Sequence, residues 1–486
     1  MKQFGSIGLI IMILALIAAQ CGSGGQSTAT ENSNRTDPVE QNDQADQTDQ
    51  ADQADQNDRD AIAQAASAEE TIAEPAEETA VEESAVETAL DTAPEPAQTE
   101  PEPAAAKDEP EAACDDPFAG VDNVRFAPEV WTAEQLARFV GSDLIDPASG
   151  LETNFCIRSI DYAEILSGGP PPDGIPPLDD PSFDPIEVGD EWLEDIQPVI
   201  ALLVGDEVKA YPLAVLTRHE ITNDVIGGVP VAVTFCPLCN SAIVFKREVN
   251  GQTLRFGVSG NLRNSDLIMW DAQTLSWWQQ FTGKAIVGEL TGAQLEMIPA
   301  PVVAWKDFKA AFPDGQVVSG GGRGYGTNPY IGYDSAERPA LYLGTLDPRL
   351  PALSRVLGYF NARTAVAYPL SILREQGVVE DSIERLGDVV IFYEPGQVSA
   401  LDQSIIANSK EVGSAHMYLP EVNNRKLTFS YNNGIITDNT TGSEWDIFGR
   451  AVSGELKGVQ LEPVLSHPHF WFAWAAFRSE TRIYGE

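Results

Sequence analysis

From Val199 onward the chain breaks into short runs of β-branched, aliphatic and aromatic side chains, each closed by a turn pair. Val199–Val204, Val208–Leu216, Val229–Phe235, Ala242–Arg247, Thr253–Val258 and Leu267–Trp270 are punctuated by Gly205-Asp206, Gly227-Gly228, Asn250-Gly251 and Gly260-Asn261. Runs of this length bounded by turn residues predict strands. Asn250-Gly251 predicts a two-residue type I′ hairpin, because that turn needs positive φ at both central positions. Two aromatic segments, Val302–Phe312 and Phe470–Phe477, predict short helices, and Ala127–Phe139 predicts another in a lead-in segment. The Gly/Pro run from Ser167 to Asp184 excludes regular structure and predicts a long ordered loop.

The pattern is written twice. Val287-Gly288-Glu289-Leu290-Thr291-Gly292-Ala293-Gln294-Leu295-Glu296 returns as Ser453-Gly454-Glu455-Leu456-Lys457-Gly458-Val459-Gln460-Leu461-Glu462, and Ala210-Tyr211-Pro212-Leu213 returns as Ala367-Tyr368-Pro369-Leu370. The fold class expected is therefore mainly β, with minor α+β character: two tandem homologous β-rich units, residues 199–345 and 346–486, each closed by a short helix. A lead-in segment with the Gly/Pro loop, 114–198, precedes them. The step between copies changes from 157 at Ala-Tyr-Pro-Leu to 173 at the hairpin, which predicts an insertion near Glu394–Ser409 in the second copy. What both copies keep reads as scaffold, and what one copy alone carries is a candidate site.

That comparison singles out Cys236-Pro237-Leu238-Cys239, whose partners in the second copy align as Tyr393 and Gly396 or as Ser409 and Val412. Two thiols three residues apart can chelate one metal ion or close a redox disulfide. A thioredoxin-type arrangement needs a helix after the first cysteine, and here Ser241–Phe245 reads as a strand. The leading expectation is a metal site, Cys236 and Cys239 with His219 as third ligand and Met269 as a soft fourth, a donor set suited to copper or zinc. Two alternatives stay open: a thiol-disulfide oxidoreductase using the same cysteines on a non-thioredoxin fold, and a non-catalytic surface module with a small structural clip. Whether the chain is an enzyme stays undecided.

Other features weigh less. Gly320-Gly321-Gly322-Arg323-Gly324 lacks the Gly-Lys-Ser/Thr of a phosphate loop, so its expected role is a cover with Arg323 and Tyr330 facing a ligand. His467 and His469 could form a second site, but their aromatic neighbours read first as core. Asp179, Asp180 and Asp184 read as a solvated acidic loop rather than a calcium site.

Composition places the chain. Residues 1–21 join Lys2, an apolar stretch from Ile7 to Ala19 and Cys21, an export signal too short for a membrane span. Ala18-Ala19-Gln20-Cys21 resembles a lipobox, which implies lipidation of Cys21 and a membrane-anchored lipoprotein on the cell surface or in the periplasm. Residues 22–113 hold 25 acids and 3 bases with almost no large apolar side chains, half of the net charge of -44. Such a segment predicts a disordered stalk, about 50–60 Å across if fully flexible. The remaining charge is also acidic, which disfavours nucleic acid as a partner. In an oxidising compartment Cys114 and Cys156 are expected to form a structural disulfide.

The succession His219-Glu220, Asn223-Asp224, Thr234-Phe235-Cys236-Pro237-Leu238-Cys239, Phe256-Gly257-Val258-Ser259-Gly260-Asn261, Asn264-Ser265-Asp266 and Asn328-Pro329-Tyr330 resembles the bacterial and archaeal family called domain of unknown function 3179. The resemblance covers roughly residues 155 to 485. It departs at Asn240, where the family often has Gly. It implies an exported protein of unassigned activity and carries over no substrate and no catalytic residues.

Overall fold

The computed structural model describes residues 114, 117–118, 131–320, 325 and 327–486. The export signal, Cys21, the acidic stalk and Arg323 lie outside them. Among the described residues no helix is long and apolar enough to cross a membrane.

Strand dominates, as the sequence predicts. The lead-in helix α1, Ala133–Val140, starts where Thr132 caps the first turn by accepting from the Gln135 amide. Cys114 and Cys156 are joined, with Cα atoms 5.8 Å apart. Three sheets follow in the first half. One places β1 (Pro198–Val204) and β2 (Glu207–Pro212) between Val302–Ala304 and Gln316–Val318, with Phe183–Pro185 at its edge. The second orders Met297–Ile298, β5 (Ser241–Lys246), β4 (Val229–Cys236), β3 (Ile221–Ile226) and Leu178–Asp179. The third orders Ile165–Ser167, β6 (Phe256–Arg263), β7 (Asp266–Asp271), β8 (Trp277–Gln279) and Lys284–Val287. The Asn250-Gly251 turn has the positive φ values, 53° and 77°, that its sequence predicts.

The second half runs through β9 (Arg355–Phe360), β10 (Ala365–Pro369), β11 (Val378–Ile383), β12 (Gly387–Glu394), β13 (Ser414–Leu419), β14 (Phe429–Asn432), β15 (Ile435–Asp438), β16 (Glu444–Trp445) and β17 (His467–Phe470). Its sheets repeat the first-half orders: β17, β9, β10, Arg482–Ile483; then Glu462–Pro463, β13, β12, β11; then β14, β15, β16. Side-chain chemistry repeats with them. Asp271 accepts from Thr274 and from the Trp278 indole, and Asp438 accepts from Thr441 and from the Trp445 indole. Each pair pins a turn between neighbouring strands, which is why these polar residues persist in a buried place.

Four more helices matter: α2 (Leu213–His219), α3 (Trp305–Ala311), α4 (Leu370–Gln376) and α5 (Trp471–Phe477). The expected strand Val208–Leu216 is cut at Pro212. The reason is that a continuous apolar run does not distinguish strand from buried helix, and Pro212, with no N–H to extend the ladder, sits as the N-cap of α2. Pro369 does the same for α4. The helices predicted at Val302–Phe312 and Phe470–Phe477 are α3 and α5, each entered through a short strand.

Candidate metal centre

β4 ends on Cys236, which pairs in register with Ser241 at the start of β5. Between them Pro237–Cys239 makes one 3-10 turn, and Asn240 closes it in the left-handed region at φ 49°. Proline's fixed φ suits the first turn position, and Asn is among the few non-glycine residues that visit the left-handed region readily. Asn240 thus serves where a glycine would be expected. The hairpin turn gathers both sulfurs in the protein interior.

Asp266, the first residue of β7, joins them. One ligand atom from each of Cys236, Cys239 and Asp266 lies within 4.8 Å of the others, and all three residues are buried. Asp266 Oδ2 accepts from the Phe281 amide at 2.9 Å and from Gln279 Nε2 at 2.6 Å. Burial pushes the Asp266 carboxyl up to about 7, opposed by Phe281, Gln279 and hydrogen bonding from the Cys239 and Cys236 thiols. Burial also pushes the Cys236 thiol up, and raises Cys239 further with Cys236 and Asp266 beside it. Both thiols are therefore protonated when nothing occupies the cluster, and the Asp266 carboxyl titrates near neutrality. A bound cation would displace the thiol protons and reverse that.

A second buried carboxyl stands next to it. Glu220 follows α2 in the left-handed region, φ 57°, and accepts from Tyr330 Oη at 3.0 Å. Burial pushes its carboxyl up to about 7. A cavity of about 30 Å³ is lined by Cys236, Glu220 and Tyr330 together with Gly168, Pro170 and Ile175 of the Gly/Pro loop. It has room for a water or two. The Gly/Pro loop and Tyr330, which the sequence separates by 150 positions or more, both wall this cavity.

His219 is elsewhere in its bonding. Its Nδ1 lies 2.7 Å from the Pro176 carbonyl and its Nε2 lies 3.2 Å from Tyr325 Oη. It ties the Gly/Pro loop to α2 and is not in the group formed by the two cysteines and Asp266. Met269 lies three residues along β7 from Asp266, fully buried in the core that also holds both cysteines. Tyr330 lines the cavity beside Cys236. Asp179 is solvent-exposed, and it pairs with Arg255 at 2.8 Å and accepts from Asn223.

Arg355 from the second half and Tyr333 near the end of the first brace the turn. Arg355 Nη1 donates to Asn240 Oδ1 at 2.6 Å while its Nη2 pairs with Asp334 at 2.9 Å. Tyr333 Oη donates to the Leu238 carbonyl at 2.8 Å. At the matching place in the second half β12 ends on Glu394, paired with Ser414 as Cys236 is with Ser241. The strand ends therefore set Glu394 opposite Cys236, one residue from the Tyr393 read off the sequence. The second hairpin carries no thiol.

A family model described as protein of unknown function (DUF3179) matches residues 172–481. The chain belongs to that family. The matched span takes in both halves, the Cys-Pro-Leu-Cys turn, Asp266 and Tyr330. No curated protein and no solved structure matches the chain. Asp266 is the member of the cluster that sequence reasoning did not assign. The available signal was a lone acid opening an otherwise apolar strand, Asp266-Leu267-Ile268-Met269-Trp270, where burial of a charge demands a partner.

Proposed function

We propose that the protein is an exported, lipid-anchored metal-binding protein whose ion sits between Cys236, Cys239 and Asp266. The observation that carries this is the grouping of the buried Asp266 carboxyl with two buried thiols, their ligand atoms all within 4.8 Å of one another. Two thiolates and a carboxylate supply three anionic donors, and a water in the adjoining cavity would be the fourth. Replacing His219 and Met269 by a carboxylate shifts the expected ion from copper toward zinc, because hard oxygen donors suit zinc better than copper(I). A substrate larger than a water or two would need the Gly168–Ile175 stretch to move.

A second reading, thiol-disulfide exchange, is favoured by the Asp266 carboxyl lying near neutrality, where it could accept a thiol proton. It is the weaker one. Attack requires a thiolate, and burial holds both thiols protonated.

Metal content of the full chain, purified from an exporting host and measured by elemental mass spectrometry, tests the reading. Near-stoichiometric zinc or copper is expected in the wild type, with loss in Cys236→Ser/Cys239→Ser and in Asp266→Asn. His219→Ala should keep the ion. A wild-type chain without metal, and with Cys236 and Cys239 oxidised, would reject this reading in favour of the redox one.

A further inference from the structure

β17 carries His467 and His469, two residues apart and so on one face of the strand. Both are buried to 1 % exposure. One His467 nitrogen faces the Ala242 backbone as a donor, and the other His467 nitrogen and both nitrogens of His469 have no hydrogen-bond partner. The Ser466 hydroxyl beside them is also without a partner. Buried polar groups are nearly always hydrogen-bonded, so three ring nitrogens without partners on one strand face mark a missing occupant.

The chemistry of the place narrows it. The ring centres are 6.2 Å apart. Two imidazoles that share one metal ion place it about 3 Å from each ring centre, which matches that spacing. Phe281 and Trp474 pack on His469 at 4.5 and 5.3 Å. Burial pushes His467 down to about 4 and holds His469 well below the ordinary histidine range, with Arg478 adding to it. The rings are thus neutral, the form that ligates metals. Among the described residues no further His, Cys, Asp or Glu completes a three-membered group with them. A dication in this dry, uncompensated setting beside Arg478 would carry a desolvation cost that grows with the square of its charge. A monocation content with two nitrogen donors is the ion that fits.

We propose that His467 and His469 form a second site, a two-coordinate site for copper(I). It shares a wall with the first: the Phe281 amide donates to Asp266 while the Phe281 ring packs on His469. Its observations are independent of the cysteine cluster, so the test removes that cluster.

The full chain carrying Cys236→Ser/Cys239→Ser would be titrated anaerobically with copper(I) against a chromophoric chelator, and its four histidines followed by ring ¹⁵N NMR. One tightly held copper(I) is expected, with the His467 and His469 resonances shifted and those of His219 and His416 unmoved. X-ray absorption should show nitrogen donors only. His467→Gln/His469→Gln on the same background should lose that copper; if this variant does not fold, the NMR and absorption results decide alone. No copper(I) retained, shifts at the other histidines, or equal retention of zinc would overturn the assignment. Metal lost from the cysteine cluster while this site still fills would fault the earlier reading alone.

Discussion

Asp307 on α3 and Glu394 at the end of β12 form a carboxyl pair across the contact between the halves, and neutralising it should change how stability depends on pH. Burial raises Asp307 to about 6, with Lys306 opposing and Asp446 and Asp195 adding. Burial and then Asp307 raise Glu394 to about 7. Asp307 Oδ2 has no hydrogen-bond partner. A carboxyl raised in the folded state keeps a proton that the unfolded chain has released. Its contribution is fully present below about pH 4 and is lost as pH rises through 6 to 7. A shift of about two units is worth roughly 3 kcal/mol for an isolated group. Both residues are half-buried and part of the Glu394 shift comes from the Asp307 charge, so on the order of 2 kcal/mol for the pair is the better figure. Asp307→Asn/Glu394→Gln should therefore match the wild type near pH 3 and exceed it by about 2 kcal/mol at pH 8, some 2–3 °C in Tm for a fold of this size. Taking the variant-minus-wild-type difference cancels the other acids of this strongly acidic chain. Parallel pH profiles for the two proteins, or a variant less stable at pH 8, would refute the reasoning.

Arg355→Ala should cost about 3 kcal/mol in denaturant unfolding, because it strips a guanidinium from Asp334, whose side chain is only 1 % exposed, and from Asn240 at the cysteine turn. Arg355→Lys should not restore it, since an ammonium cannot bridge Asn240, Asp334 and Ser399 as the planar fork does. Gly358→Ala should destabilise by about 1–3 kcal/mol, as a Cβ there would meet the Trp474 ring; thermal unfolding reads this directly. His219→Ala should speed hydrogen exchange in residues 168–177 while leaving the β4–β5 hairpin protected, because the bond to the Pro176 carbonyl anchors that loop; unchanged exchange there would remove the anchoring role.

Much of the fold is legible in the residues. Alternating runs with Gly and Asn turns announce strands. The Asn250-Gly251 turn is local backbone chemistry and needs no tertiary information. The α2 run was misread because Leu213-Ala214-Val215-Leu216 is buried as a block, and burial on all sides erases the periodicity that separates helix from strand. At the candidate site, the two cysteines stood out because only one half has them. Asp266 and Glu220 did not, because an acid's role depends on what surrounds it, and nothing in a one-dimensional pattern states that an acid will be buried.

The sequence by itself determined the mainly β class, the pairing of Cys114 with Cys156, and the position of the Cys-Pro-Leu-Cys turn between two strands. These follow from spacing and from local conformational preference. Only the tertiary structure decided which groups meet the thiols. Asp266 arrives from the neighbouring sheet, Tyr330 and the Gly/Pro loop wall the cavity from opposite directions in the chain, and Arg355 reaches over from the second half. It also set His219 between the Pro176 carbonyl and Tyr325 and buried His467 and His469 on one strand face. The physical reason is that coordination and hydrogen bonding act over a few ångströms, and residues from 30 to more than 100 positions apart come within that range only when the sheets pack.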